Sequence, residues 1–313
     1  TVDVYRGITK PEKSFLNYFL FVTFFPKLVA GPIQRASELI PQFKKIYQLD
    51  FENVAYGLKR IIYGLFLKVV VADNVAGFVD DAYAINYSMA SAIDVFTLAF
   101  LFGFQIYFDF SAYSHIALGT ARLFNIHIPE NFDFPYLATS MKSFWKRWHI
   151  SLSAWIRDYL YLPISGVIVT NSSGKSGIGK SLDKNRNQRS TFALFITWSI
   201  MGLWHGANWT FLFWGFYHAS SIYLERKLAP LRASFDLFRM RFLNWGTTLV
   251  VAMLSWIPFR VSNLHDSYIL YSRLFNFDNY FYKYFFDYNQ SYKYLLLIRD
   301  IVSLFSNFNF ILL

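Results

Sequence analysis

Residues 190–224 read STFALFITWSIMGLWHGANWTFLFWGFYHASSIYL, a run without a single Asp, Glu, Lys or Arg. A membrane-crossing helix takes roughly 20 apolar residues, so this run exceeds one simple span. Gly202 and Gly206 lie in its middle with Asn208 just beyond, and they bracket Trp204 and His205. The spacing predicts two helical pieces meeting at a break, with His205 at the break. A titratable side chain at membrane depth is costly and normally faces an interior cavity. His205 is therefore a candidate functional residue on position alone. The competing reading is a histidine that hydrogen-bonds locally and braces the two helices.

Composition extends this pattern to the whole chain. Of 313 residues, 55% are hydrophobic and only 16% are charged, and 36 Phe and 22 Tyr help bring the aromatic share to 21%. An ordinary soluble domain carries roughly 25% charged residues. The expected fold class is all-α: a polytopic integral membrane protein, read as one membrane-embedded domain over residues 1–313. The net charge of +10 sits in short loops between apolar runs. That placement fits cytoplasmic loops and argues against nucleic acid as a partner. The absence of cysteine excludes disulfides, thiolate metal sites and a cysteine nucleophile. The chain begins with Thr1 and no signal pattern follows, so it is expected to start partway through a longer protein.

In chain order, Ser14–Gln34 reads as a first span interrupted by Pro26, Gly31 and Pro32, with Lys27 its sole charge. Residues 36–81 read as an interfacial amphipathic helix and then a span whose lysines and arginines snorkel. Val95–Ala121 reads as a span that breaks near Asp109. An acid there is either a functional group or a helix-end cap. From Met141, with Ser140 as cap, the mix of Trp145, Trp148 and Trp155 with Lys146, Arg147 and Arg157 suits a helix lying in the interface. On pattern alone His149 would be wetted by headgroups there. Ser165–Arg189 is a basic loop, placed in the cytoplasm. Within it Gly174–Ser181 spells G-x-x-x-x-G-K-S, but no apolar helix face follows, so the stretch reads as a flexible loop rather than a nucleotide site. Phe242–Phe259 is a further span ending at Pro258.

The six histidines show no i, i+4 metal spacing, so no metal and no bound cofactor are expected. His218 reads as structural, with a satisfied hydrogen bond. No G-x-S-x-G elbow points to a serine hydrolase.

Six stretches together carry a resemblance. They are Asp3–Gly7 (DVYRG), Phe24–Ile33 (FFPKLVAGPI), Asp109–Ser114 (DFSAYS), Phe144–Ser153 (FWKRWHISLS), Trp155–Tyr161 (WIRDYLY) and Gly202–Trp209 (GLWHGANW). In this order they resemble the membrane-bound O-acyltransferase family, in its bacterial alginate and polysaccharide O-acetylating branch. The resemblance implies broken and interfacial helices around a through-membrane cavity. It also implies a catalytic histidine at His205, a second functional histidine at His149 toward the cytoplasmic entrance, and further spans before Asp3 that this chain does not contain. Where the family runs through Gly-Gly-Asn-Arg after the Tyr161-Leu162-Pro163 position, this chain has Ser165-Gly166 and a long insertion.

Position and resemblance converge on acyl transfer at a bacterial inner membrane. A neutral imidazole at His205 suits proton removal from a sugar hydroxyl near pH 7. Asn208 is a candidate to receive the oxyanion, with Trp204 and Asp109 beside the substrate. Lys146 and Arg147 would attract the phosphates of a donor such as acetyl-CoA or an acylated carrier. The acceptor is an exported polysaccharide or an extracytoplasmic acetyltransferase partner. The alternatives are a non-catalytic conduit for polysaccharide or lipid-linked sugar, since broken helices are as natural in transporters, and an export scaffold.

Overall fold

The computed structural model describes residues 1–45, 48, 50–167, 169–170, 177–178, 186–232 and 237–275. The described chain is helical, apart from one two-residue antiparallel pairing of Val169–Thr170 with Gly177–Ile178. Most of the phosphate-loop spelling, and the aromatic tail from Asn276, lie outside the described residues.

After a single turn at Val2–Tyr5, α1 is Phe15–Thr23 and α2 is Ala36–Phe43. Ser14 caps α1 by accepting from the Asn17 N–H. Nine residues rise only about 14 Å, so the expected first span is not formed. Proline and glycine stop the helix, and the chain from Phe25 onward turns back into the protein. Lys44 at the end of α2 reaches the Glu12 carboxylate at 2.5 Å and closes the α1–α2 hairpin. That ammonium holds the Glu12 carboxyl well below its ordinary range, at about 2.

Two long helices follow. Helix α3 is Phe51–Tyr83, wound as a π-helix over Phe66–Ala72, and α4 is Ala92–Leu123, started by a capping box of Ser91 and Asp94. Helix α4 runs unbroken through Asp109, about 48 Å in all. The expected break at Asp109 is therefore absent, and the residue is not a cap. The two helices lie backbone to backbone: a Cβ on Gly57 would stand 2.7 Å from the Gly119 carbonyl oxygen. Small residues at such a crossing are the usual means of packing helices in lipid.

The segment expected to lie in the interface is instead folded inward. It forms α5, Met141–Trp145, and α6, Ile150–Ile156. Ser140 caps α5 through the Ser143 N–H as expected. Trp145, Trp148 and His149 are buried, while Lys146 between them is exposed. Burying two indoles outweighs the pull of the flanking charges toward water, because those charges sit on the outer side of the same turn.

Residues 190–224 form two helices, α7 (Arg186–His205) and α8 (Trp209–Arg232). The break falls at Gly206–Asn208. Gly202 lies inside α7, where a Cβ would be driven into the Phe211 carbonyl, and Gly215 of α8 is held the same way by the Trp198 carbonyl. Helix α9 is Leu237–Leu254, α10 is Trp256–Arg260 with Pro258 inside it, and α11 is Leu264–Arg273. Among the described residues three helices are long and apolar enough to cross a membrane: Phe51–Tyr83, Ala92–Leu123 and Arg241–Arg260. Within α7 and α8 the uncharged stretches are only 16 residues each and run into Arg189 and Glu225–Arg226, and both helices fall outside that group. The main core gathers Trp145, Trp148, Trp198, Trp214 and Trp256 from α5 to α10.

Candidate functional site

His205 is the last residue of α7. Its ring is half-buried among Trp204, Phe259 and Trp214, at centroid distances of 4.9, 5.0 and 5.2 Å. Among the described residues neither ring nitrogen has a hydrogen-bond partner, so His205 does not brace the two helices in the way the competing reading required. The nitrogens are left to the cavity the ring lines.

His149 is positioned differently. It precedes α6 with φ +42°, a left-handed backbone that costs a non-glycine residue about 1–3 kcal/mol. Asn131, completely buried, holds it there. The Asn131 side-chain oxygen accepts from His149 Nδ1 at 3.1 Å, from the Ser151 N–H at 3.2 Å and from Ser151 Oγ at 2.9 Å. The Asn131 carbonyl accepts the Ile150 N–H at 2.9 Å. A backbone N–H can only donate, so the atom facing it is the amide oxygen, and His149 must carry its proton on Nδ1. The neutral ring therefore keeps its Nε2 lone pair free.

Both histidines line one cavity of about 690 Å³, within the range of small-molecule sites. Its walls are mainly apolar and rich in aromatic rings, with Trp145, Trp148, Trp214 and Trp256 from the core and Phe110 meeting the His149 ring edge-on at 4.6 Å. Trp204, 62% exposed, and Asp109 also line it. Asp109 is paired with Lys68 at 2.6 Å, and Lys68 in turn with Asp73 at 2.8 Å. The cavity thus brings together four of the seven expected residues: His205, His149, Trp204 and Asp109.

The other three stand apart. Asn208 caps α8, its side-chain oxygen accepting the Thr210 N–H at 3.1 Å while its amide donates to the Ser262 carbonyl at 2.9 Å. That amide is committed to structure and does not line the cavity. Arg147 turns to Asp133, and Lys146 is exposed on the outer side of the α5–α6 turn.

His218 lies behind the wall, fully buried. Its Nδ1 accepts from Trp145 Nε1 at 3.3 Å, and its buried Nε2 has no partner among the described residues. The expected structural role is met at one nitrogen only. A smaller cavity of about 330 Å³ lies on the opposite flank of α4, lined by Arg60, His115 and Glu130 among others.

Sequence reasoning missed Asn131, Ser151 and Lys27. Each is a single polar residue near a turn or helix start, and no periodic pattern marks it. The stretches Asp3–Gly7 and Trp155–Tyr161 are in contact: Tyr159 hydrogen-bonds Asp3, and Arg6 donates to the Asp158 carbonyl at 3.2 Å.

A family model described as MBOAT, membrane-bound O-acyltransferase family, matches residues 11–265. The peptidoglycan O-acetyltransferase of Helicobacter pylori is 40% identical over 255 residues, 81% of this chain and 45% of the relative. The probable alginate O-acetylase of Azotobacter vinelandii is 36% identical over 277 residues, 88% of this chain and 51% of the relative. A teichoic acid D-alanyltransferase of Streptococcus thermophilus is 29% identical over 229 residues, 72% of this chain and 53% of the relative. The chain spans about half the length of these curated relatives.

Proposed function

This chain belongs to the membrane-bound O-acyltransferase family, and we propose that it moves an acyl group, acetyl foremost, from a cytoplasmic thioester onto hydroxyls of an exported polysaccharide or cell-envelope glycan. The acceptor is reached directly or through an extracytoplasmic relay partner. The relatives are named for acylation of peptidoglycan, alginate and teichoic acid, which supports a glycan acceptor. The apolar helices and the basic loop between α6 and α7 support a multi-pass position in a bacterial inner membrane.

The observation that carries the reading is the pair of histidines in one aromatic cavity, with His205 free of any local hydrogen bond. The hydroxyl oxygen attacks the thioester carbonyl carbon while His205 takes the hydroxyl proton. The carbon–sulfur bond then breaks, and the imidazolium returns the proton to the departing thiolate. His149 presents Nε2 as an acceptor. It is therefore assigned to receive an N–H or O–H of the substrates rather than to donate to the thioester carbonyl. With the Asn208 amide occupied, the developing oxyanion is left to other donors.

The test is His205→Ala in the full-length protein, read by mass spectrometry of cell-surface glycans. Ester content should fall by on the order of 10²-fold or more while polymer export persists. Near-normal acetylation would remove His205 from the chemistry, and loss of export with esters intact on retained polymer would favour a conduit.

A further inference from the structure

Lys27 has no part in the mechanism above, yet it lines the same cavity as His149 and His205. It sits on the turn Phe25–Lys27, and the chain then doubles back on itself. A Cβ on Gly31 would stand 2.5 Å from both the Lys27 Cα and the Pro26 carbonyl oxygen, so the turn closes only over glycine. The same segment is tied to the His149 clamp. The Ile33 N–H donates to Ser151 Oγ at 2.9 Å, and that hydroxyl donates to the Asn131 oxygen that holds His149. The segment that follows Lys27 is thereby anchored beside His149.

The ammonium lies 3.6 Å from the centroid of the Phe21 ring. Among the described residues no carboxylate pairs with it. Lys68, the other lysine of the cavity, is held by two carboxylates, Asp109 and Asp73. A cation in an aromatic-walled cavity, partly removed from water, is costly without a counter-charge. Two neutral imidazoles supply none.

The geometry points to Lys27 as the anion-recognition residue of this cavity, its ammonium receiving a carboxylate or phosphate oxygen of a substrate. The inference rests on the acyl-transfer reading for the identity of those substrates. A carboxylate would come from the acceptor sugar, a phosphate from the arm of the thioester donor. In either case the protein selects a charged substrate over its neutral analogue.

Four probes decide it, bound to full-length protein in nanodiscs and followed by quenching of the cavity tryptophans. The first pair is a uronate trisaccharide and its methyl ester; the second is 4′-phosphopantetheine and pantetheine. The charged member of at least one pair should bind about 10-fold or more tightly than the neutral one, as a charge-assisted hydrogen bond allows. Lys27→Met should erase that preference, and Lys27→Arg should keep it. A preference confined to the sugars names the carboxylate; one confined to the second pair names the phosphate. Equal affinities within both pairs, or a preference that survives both Lys27→Met and Lys27→Gln, would overturn the inference. Unchanged thermal unfolding of Lys27→Arg and Lys27→Gln separates binding from folding. Because binding is read without turnover, a protein that selects charge through Lys27 but forms no ester would sink the catalytic reading alone.

Discussion

Removing the Asn131 side chain should disable the site without touching either histidine. Three donors converge on its oxygen: His149 Nδ1–H, the Ser151 N–H and the Ser151 hydroxyl. At about 1 kcal/mol net per buried hydrogen bond, the clamp contributes about 3 kcal/mol. At 1.4 kcal/mol per tenfold, that is about 10²-fold in the fraction of molecules with the His149 turn correctly closed. The left-handed backbone of His149 adds to the tendency to open once the clamp is gone. Asn131→Leu keeps the volume and removes the acceptor; Asn131→Asp keeps the acceptor. The assay pairs ester formation by the full-length protein with thermal unfolding in detergent. Asn131→Leu should lose roughly 10²-fold in turnover and unfold at a lower temperature, with Asn131→Asp retaining clearly more of both. Turnover of Asn131→Leu within about threefold of the native protein, at an unchanged melting temperature, would refute the clamp.

Three further outcomes follow from the same geometry. Asn208→Ala should cost about 1 kcal/mol of stability, as loss of a helix cap does, with ester formation little changed; a 10²-fold loss of turnover at full stability would restore Asn208 to the oxyanion. Gly215→Ala should destabilise by about 1–3 kcal/mol or more, because its methyl group meets the Trp198 carbonyl, and a melting temperature equal to the native value would show that α7 and α8 can move apart freely. Protonation of Glu12 should loosen the α1–α2 hairpin. Because its folded-state pKa is depressed from 4.5 to about 2, the stabilisation is present above about pH 4.5 and is lost as pH falls toward 2. Hydrogen exchange over residues 15–23 should accelerate across that window in the native protein and be insensitive to it in Glu12→Gln. Equal pH dependence in both would dismiss the pair.

Residues 190–224 were legible in the sequence because an uncharged run of that length admits few solutions, and the helix break beside His205 follows from Gly206 and Asn208. Gly202 was misread because a glycine inside a helix signals either a break or a neighbour's close approach, and only the position of α8 decides between them. The α5–α6 segment misled for a similar reason. Lysine and arginine beside tryptophan suit a membrane surface, but they suit a buried turn with an outward charged side equally well. The break expected at Asp109 failed because an ion pair with Lys68 lets a carboxylate remain in mid-helix. Asn131 was marked by no pattern, and Lys27, visible as the sole charge of Ser14–Gln34, was not read as a site residue. Their importance lies in contacts between turns distant in sequence, and no local spacing encodes those.

The backbone at His149 has a practical consequence for anyone replacing that residue. Left-handed torsions are tolerated by glycine and asparagine far better than by alanine or any β-branched side chain. An alanine there would report two losses at once, the imidazole and the shape of the peptide beneath it. Asparagine or glycine separates them, and the gap between their activities and that of alanine measures what the main chain alone contributes.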